Sequence, residues 1–100
     1  MVFTTSWGGR ALFDWDDANR LHIGNHDVEP EEAEEALLDP RRVGAAAYNA
    51  GDERRWAYLG ATELGRVLFV VFTRRSGLVH VVSARDAGTT ELRRYRRRGK

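Results

Sequence analysis

Hydrophobic residues recur along the chain at two spacings, one typical of helices and the other of strands. Ala18, Leu21 and His22 repeat every three to four residues, which is the period of an α-helix. Asp16 precedes them and can cap such a helix, because its carboxylate accepts hydrogen bonds from the first free amides. The pattern therefore predicts a short helix over about Asp17–Gly24.

A second helix is predicted for the acidic stretch EPEEAEEALLDP. Pro30 suits the first helical position, and the two glutamates that follow it lie near the positive end of the helix dipole. The helix ends at Asp39-Pro40, because the residue before a proline disfavours helical geometry. We expect Glu34 and Glu35 to be solvated. The inward stripe consists of Ala33, Ala36 and Leu37.

Four runs of strand-forming residues follow, at Arg42–Asn49, Arg55–Gly60, Arg66–Arg74 and Leu78–Ala84. The segments 63–65 and 75–77 are short enough to form hairpins, so the sheet should be antiparallel. The third run, RVLFVVFT, is apolar at both alternating sets of positions. That pattern is typical of a central strand that is covered on both sides.

The end of the chain predicts a third, short helix. Thr89 or Thr90 can cap it, and Leu92 and Tyr95 share one of its faces because they are three residues apart. The elements together predict an α+β fold in which two N-terminal helices pack on an antiparallel sheet of about four strands, with a short C-terminal helix. Residues 1–100 provide enough chain for one core and too little for two, so we expect a single domain.

Composition places the chain among globular proteins and excludes several kinds of site. It is 42% hydrophobic and 31% charged, and it has no cysteine for a disulfide or a thiolate metal site. The longest apolar run, Val67–Phe72, is far shorter than the roughly 20 residues that span a bilayer. The first residues lack the basic start and apolar core of a signal peptide. We therefore expect a cytoplasmic protein that does not enter a membrane.

Charge is distributed unevenly, although the net charge is only +1. Residues 1–50 carry four arginines against ten acids, a net charge of −6, whereas residues 51–100 carry eleven arginines and one lysine against five acids, a net charge of +7. Such asymmetry is expected if the basic half binds a polyanion such as nucleic acid. It is equally expected if the two halves complement each other within the fold.

Several stretches resemble, in order, the BrnT toxins of the RelE-like superfamily. FDWDDANRLHIGNHDVEPEEAEEALLDP resembles their aromatic start, short helix, histidine-bearing turn and acidic helix. ERRWAYLG resembles their Glu-Arg-aromatic strand, and RVLFVVFTRR and VVSARDAGTTELRRY resemble their last two strands and final helix. The resemblance covers about residues 12–96. The turn Asn25–Val28 departs from the family pattern, because it keeps the histidine but lacks the neighbouring basic residue and the glycine.

The resemblance implies a RelE-like fold and ribonuclease activity that requires no metal or other cofactor. It also implies neutralisation by a cognate antitoxin, usually a small DNA-binding protein, and it leaves open a homodimer or a toxin–antitoxin hetero-oligomer. The leading hypothesis is therefore a metal-independent endoribonuclease toxin that cleaves RNA by attack of the 2′-hydroxyl, with arginines stabilising the phosphate. The alternative, favoured by the altered turn, is a catalytically inactive BrnT-like protein that binds RNA or a partner.

A zinc-binding module is a third hypothesis. His22 and His26 are four residues apart, the spacing at which two histidines on one helix face can bind zinc. Gly24 interrupts that helix, however, and His80 is the only other histidine in the chain. We therefore expect no metal site.

Arginine is the residue type best suited to the charge that develops on a phosphate during RNA cleavage. Its guanidinium binds phosphate oxygens in pairs and stays charged. Arg85 follows an apolar run and is the leading candidate, and Arg55 and Arg74 also lie at strand ends. The three can converge on one phosphate only if they share a face of the sheet. Otherwise each is an ordinary arginine at the end of a strand.

Proton transfer and RNA binding have candidates of their own. His26 can exchange a proton near neutral pH, or else it caps a helix or packs beneath the loop. Tyr95 can donate a proton, stack on a base or anchor the last helix. Glu91 can orient an arginine or cap its own helix. The residues predicted to contact the RNA backbone through their charge, rather than to form a solvated tail, are Arg93, Arg94, Arg96 and Arg97, together with Arg98.

Overall fold

The computed structural model describes the backbone of residues 3–7 and 11–98 and the side chains of residues 13–98. Within these residues the elements are β1 (Phe3–Trp7), β2 (Ala11–Trp15), α1 (Asp17–Gly24), α2 (Pro30–Leu37), β3 (Val43–Ala50), β4 (Glu53–Ala61), β5 (Val67–Arg75), β6 (Leu78–Asp86) and α3 (Thr89–Arg96). The α+β class is confirmed. All three predicted helices and all four predicted strands are present.

The sheet is larger than predicted, and it is mixed rather than antiparallel. Its strand order is β1-β2-β6-β5-β4-β3, and β2 pairs with β6 in parallel while the other neighbours are antiparallel. Two strands therefore precede the two helices that were predicted to begin the fold. Phe13 and Trp15 of β2 are buried and Asp14 between them is half-buried, which is the alternation of a strand. β5 lies between β4 and β6, as predicted for a central strand.

One face of the sheet, called the helix face below, is covered by α1 and α2. Its core includes Trp15, Ile23 and Leu68, none of which exposes any surface. Gly60 allows α2 to lie directly against β4, because a Cβ atom at that position would lie 1.9 Å from the carbonyl oxygen of Ala36. This close approach brings the end of α2 and the residues after it against the far end of β4.

Helix α1 has the predicted bounds and the predicted cap, but it buries different residues. The Asp16 side chain accepts a 2.9 Å hydrogen bond from the Asn19 amide, and the Asn19 side chain accepts one of 2.8 Å from the Asp16 amide. Asn19 and Ile23 are the buried residues of the helix, whereas Leu21 is 70% exposed. Asn19 faces inward because its side-chain amide also donates to the carbonyl oxygen of Val81 in β6.

The prediction that Glu34 is solvated is wrong. Glu34 is buried in α2, and its carboxylate accepts a 2.8 Å hydrogen bond from the indole nitrogen of Trp15. Glu35 is half-buried and accepts a hydrogen bond from the amide of Glu63. Both glutamates therefore connect α2 to the sheet or its turns.

Helix α3 packs on the opposite face of the sheet, called the α3 face below. Tyr95 is buried there, and Leu59 of β4 lies fully buried in the sheet. The prediction of a threonine cap is wrong, because α3 is capped at Gly88. The amide of Gly88 donates a 2.8 Å hydrogen bond to Glu91, one turn into the helix. Glu91 thus takes over the role predicted for a threonine.

Candidate functional site

The three arginines proposed to bind one phosphate do not converge. Arg85 pairs with Phe69 across the β5–β6 ladder, and Arg74 pairs with Val79. Because Phe69 and Arg74 are five residues apart on β5, their side chains point to opposite faces of the sheet. Arg85 therefore lies on the α3 face and Arg74 on the helix face. The predicted three-arginine site is not formed.

Arg55 shares the α3 face with Arg85 but lies towards the other end of it. Its neighbour Trp56 pairs with Phe72, three residues along β5 from the partner of Arg85. The Arg55 guanidinium donates a hydrogen bond to the Glu53 carboxylate at 3.0 Å, and the Arg75 guanidinium forms an ion pair with the same carboxylate at 2.9 Å. Hydrogen bonds from these two arginines, Arg75 first, lower the pKa of the Glu53 carboxyl. Arg55 is thus held in an ion-pair cluster directed away from Arg85.

Arg85 fixes the start of α3. Its two terminal nitrogens donate to the two carboxylate oxygens of Glu91 at 2.8 and 2.9 Å, and its guanidinium lies 4.3 Å from the centre of the Phe69 ring. The hydrogen bonds from Arg85 lower the pKa of the Glu91 carboxyl, so the pair remains ionised at neutral pH. Glu91 both orients the arginine and caps its own helix, so the two roles proposed for it are combined.

Tyr95 forms the centre of a second cluster on the α3 face. Its hydroxyl donates a short hydrogen bond to the carboxylate of Asp39, which also accepts the amides of Ala61 and Arg41 at 2.9 Å each. Burial opposes ionisation of Asp39, but the hydrogen bonds outweigh it and lower the pKa of that carboxyl. Burial and the bond to Asp39 raise the pKa of the Tyr95 hydroxyl. At neutral pH the pair is a neutral phenol and a carboxylate.

The Tyr95 cluster borders a groove of about 500 Å³, called the α3 groove below. It runs between α3 and the turn that joins β4 to β5. Its polar and charged lining consists of Arg41, Asp86, Tyr95, Arg96 and Arg98. Three arginines therefore face one acid, and that acid is already paired with Arg66.

Arg98 is the arginine held most firmly beside Tyr95. Its guanidinium carbon lies 4.0 Å from the centre of the Tyr95 ring, and its Nη1 donates to the Tyr95 carbonyl oxygen at 2.6 Å. Its Nε is buried and has no hydrogen-bond partner within the described part of the chain. The α3 groove thus joins a phenol to fixed positive charge, a combination suited to an anionic substrate.

His26 lies near this end of the molecule but does not line the α3 groove. It is exposed on the loop between α1 and α2, and its ring lies edge-on to His22 at 6.4 Å. Arg66 connects the loop to the sheet, because its guanidinium donates to the carbonyl oxygens of His26 and Asp27 and pairs with Asp86. Arg66 was not singled out in the sequence, since its partners lie 20 to 40 residues away along the chain.

The predicted RNA-binding arginines divide into two kinds. Arg94 donates a 2.7 Å hydrogen bond to the carbonyl oxygen of Gly44, beside an irregularity in the β3–β4 pairing, so it holds α3 against an edge strand. Arg93, Arg96 and Arg97 are exposed and have no ion pair among the described residues. Of these three, Arg96 lines the α3 groove.

Asp39 and Arg41 were not predicted as site residues. Asp39-Pro40 signals a helix end in the sequence, and nothing local indicates that its carboxylate meets a tyrosine 56 positions later. Arg41 reaches the α3 groove because it directly follows this turn. The only sequence signal was Tyr95 itself, whose spacing from Leu92 places both on the inner side of α3.

Neither a metal site nor a membrane-spanning helix is found in the part of the chain that the structure describes. No group of three or more histidine, cysteine, aspartate or glutamate side chains is placed to hold a metal ion there. The three helices of the described residues are also too short or too polar to cross a membrane.

Comparison with known proteins finds one family. Residues 15–91 match the family model described as "Ribonuclease toxin, BrnT, of type II toxin-antitoxin system". A search of curated proteins finds no match to the chain. The matched region includes the Arg85–Glu91 pair and Asp39, but it ends before Tyr95.

Proposed function

Because the chain belongs to the BrnT family of ribonuclease toxins from type II toxin–antitoxin systems, we propose that it is an endoribonuclease that needs no metal and cleaves RNA in the α3 groove. The observation that supports this location is the Tyr95–Asp39 pair beside Arg41, Arg96 and Arg98. Two other grooves, one beside Trp56 and one beside Pro40, do not combine such a proton-carrying pair with three arginines.

The proposed reaction uses the nucleophile that RNA carries. The 2′-oxygen forms a bond to phosphorus and the bond from phosphorus to the 5′-oxygen breaks, which leaves a cyclic phosphate and a free 5′-hydroxyl. Tyr95 takes the 2′-hydroxyl proton as it passes its own proton to Asp39, along the hydrogen bond that already joins them. The 5′-oxygen takes a proton from solvent. Positioned proton transfer of this kind contributes about 10²–10⁴-fold to a rate.

The arginines of the groove supply the second requirement. The phosphorane carries more negative charge than the phosphate from which it forms, so donors fixed at that position favour the transition state. Arg98 is held by its contact with the Tyr95 ring, and Arg41 and Arg96 bring two further guanidinium groups to the groove. Arg85 acts one step removed, as a positioning residue that sets the start of α3 through Glu91.

The catalytic roles assigned to His26, Arg55 and Arg74 remain predictions. None of the three lines the α3 groove, so any contact that they make with RNA would lie outside the reacting phosphate. The family also implies a cognate antitoxin. We propose a small DNA-binding protein that covers the α3 groove in the cytoplasm, within a toxin–antitoxin hetero-oligomer or on a toxin homodimer.

The test is cleavage of single-stranded RNA by the purified protein in EDTA. We expect products with a cyclic phosphate end, and Tyr95→Phe should lower kcat by about 10²-fold or more, since it removes the proton carrier. Tyr58→Phe is the matched control, because Tyr58 lies half-buried on the helix face. Cleavage that requires an added divalent metal, or that survives in Tyr95→Phe, contradicts the proposal.

A catalytically inactive protein that binds RNA or a partner is the second candidate. The departure of Asn25–Val28 from the family pattern favours it, because that turn joins the sheet through Arg66 close to the groove. This function predicts that RNA is bound intact, with an affinity that falls steeply as salt is added. Incubation of the purified protein with single-stranded RNA distinguishes the two functions, because the RNA is either cleaved or bound intact.

A further inference from the structure

A second groove, called the Trp56 groove below, lies at the other end of β4 and β5 on the helix face. It has a volume of about 490 Å³, and its lining includes Arg54, Trp56, Thr73 and Arg74. Two acids, Asp52 and Glu53, also border it. Glu53 is already paired with two arginines of the other face, so Asp52 is the only acid of the groove without an ion pair among the described residues.

Two arginines face each other across this groove. Trp56 pairs with Phe72 in the antiparallel β4–β5 ladder, so Arg54 lies opposite Arg74 two residues further along. Like charges that are directly opposite on neighbouring strands destabilise a sheet. Arg54 has one weak neutral partner, Asn49 at 3.3 Å, and Arg74 has no hydrogen-bond or ion-pair partner within the described residues. The pair is thus arranged to receive an anion.

An aromatic platform adjoins the two arginines. The Trp56 ring stacks on Phe72 with ring centres 5.7 Å apart and planes at 26°, and Trp56 also lines the groove. One side of the indole is therefore supported by the core while part of the ring remains accessible. Guanidinium pairs beside a supported aromatic ring are the combination by which proteins bind single-stranded nucleic acid, because the phosphate meets arginine and the base stacks.

We propose that the Trp56 groove binds a nucleotide of single-stranded RNA, with its phosphate between Arg54 and Arg74 and its base on Trp56. This inference rests on the proposed function, since it assigns the groove to RNA that extends beyond the cleaved bond. Ala61 of the α3 groove and Arg54 are seven residues apart on β4, roughly 23 Å at the rise of a strand. Because the two grooves also lie on opposite faces of the sheet, a substrate that occupies both must pass round an edge and span more than this distance.

Binding is measured with a single-stranded oligothymidylate of about 12 nucleotides, a length within the range of known single-strand sites. It lacks the 2′-hydroxyl and so cannot be cleaved by the proposed reaction. We expect it to quench tryptophan fluorescence in the unmodified protein. Measured by the anisotropy of a labelled oligonucleotide, Trp56→Ala and Arg74→Ala should each weaken binding about tenfold. Arg74→Ala should also reduce the slope of log affinity against log salt by about 0.7. Arg74→Lys should restore the salt slope and part of the affinity, because it keeps the charge but not the paired donors.

Arg20→Ala is the matched control. Arg20 is an exposed arginine of α1 outside both grooves, so its loss changes net charge by the same amount and should leave affinity nearly unchanged. Equal affinities of Arg74→Ala and Arg20→Ala overturn the proposal, as does a polyglutamate peptide that quenches Trp56 as strongly as the oligonucleotide. If the oligonucleotide binds in this way while RNA is not cleaved, only the proposed ribonuclease activity fails. If RNA is cleaved and the variants bind normally, only the Trp56 groove fails.

Discussion

The indole nitrogen of Trp15 donates a 2.8 Å hydrogen bond to the buried carboxylate of Glu34. This bond joins β2 to α2 inside the core, where neither group can turn to water. Glu34→Ala should destabilise the protein by about 1–3 kcal/mol, because it leaves a buried donor without an acceptor. Urea denaturation measures the change in the free energy of unfolding.

Glu34→Gln is the control for that experiment. Its side-chain carbonyl can still accept from Trp15, so the loss of stability should be smaller than in Glu34→Ala. If both variants are as stable as the unmodified protein, the hydrogen bond contributes nothing to stability.

Local signals were enough to predict most of the elements. The period of the apolar residues, the Asp16 cap and the proline at the start of α2 each depend on neighbours within one or two turns. Helix α1 was predicted with the correct ends and α2 with the correct start, although α2 ends at Leu37, before the predicted Asp39-Pro40. The strand β2 was missed, because its Phe-Asp-Trp alternation is short and its partner β6 lies more than sixty residues away. The burial of Glu34 depends in the same way on a distant residue.

Close packing of α2 on β4 gives a second prediction. A Cβ atom at position 60 would lie 1.9 Å from the carbonyl oxygen of Ala36, and backbone at that point cannot move without shifting the helix. Gly60→Ala should therefore cost about 1–3 kcal/mol of stability or more, as overpacking does. Gly44→Ala in β3 is the matched control, because no atom lies within 4 Å of its new Cβ. Similar melting temperatures for the two variants contradict this account.

The Tyr95–Asp39 pair predicts how stability responds to alkali. Burial and the bond to Asp39 raise the pKa of the Tyr95 hydroxyl above its ordinary value of 10.0. The stability it contributes is therefore fully present below pH 10.0 and is lost as the pH rises through the pKa of the folded protein. Urea midpoints measured from neutral to strongly alkaline pH should fall less steeply in Tyr95→Phe. Parallel curves for the two proteins would show that Tyr95 ionises equally in both states.

Arg66 joins three parts of the fold, and its removal should loosen one loop in particular. It pairs with Glu32 and Asp86 and donates to the carbonyl oxygens of His26 and Asp27. Arg66→Ala should destabilise the protein by roughly 1–3 kcal/mol and speed hydrogen exchange around residues 25–28. Arg66→Lys should recover only part of the loss, since one ammonium cannot replace the five donors of the guanidinium. Unchanged exchange in that loop argues against the connection.

The candidate site was harder to predict than the fold, because it depends on strand register. Arg85 and Arg74 both end apolar runs, and only the pairing of Arg85 with Phe69 shows that they occupy opposite faces. Tyr95 was predicted from its own helix, but Asp39 was not, since a side chain that ends one helix and also meets another leaves no local pattern. The residue types in the sequence therefore indicated which side chains could act, but they did not indicate which of those side chains meet in the folded protein.

Arg85 offers the sharpest test of how α3 is held. If it acts by positioning, Arg85→Ala and Glu91→Gln should both lower kcat and both speed hydrogen exchange in α3, because each breaks the same bidentate pair. The double variant should then be little worse than either single one, as expected for two residues of one interaction. If Arg85 instead binds the phosphate directly, Glu91→Gln frees its guanidinium and leaves kcat unchanged or higher. Single-turnover cleavage with saturating RNA distinguishes these outcomes.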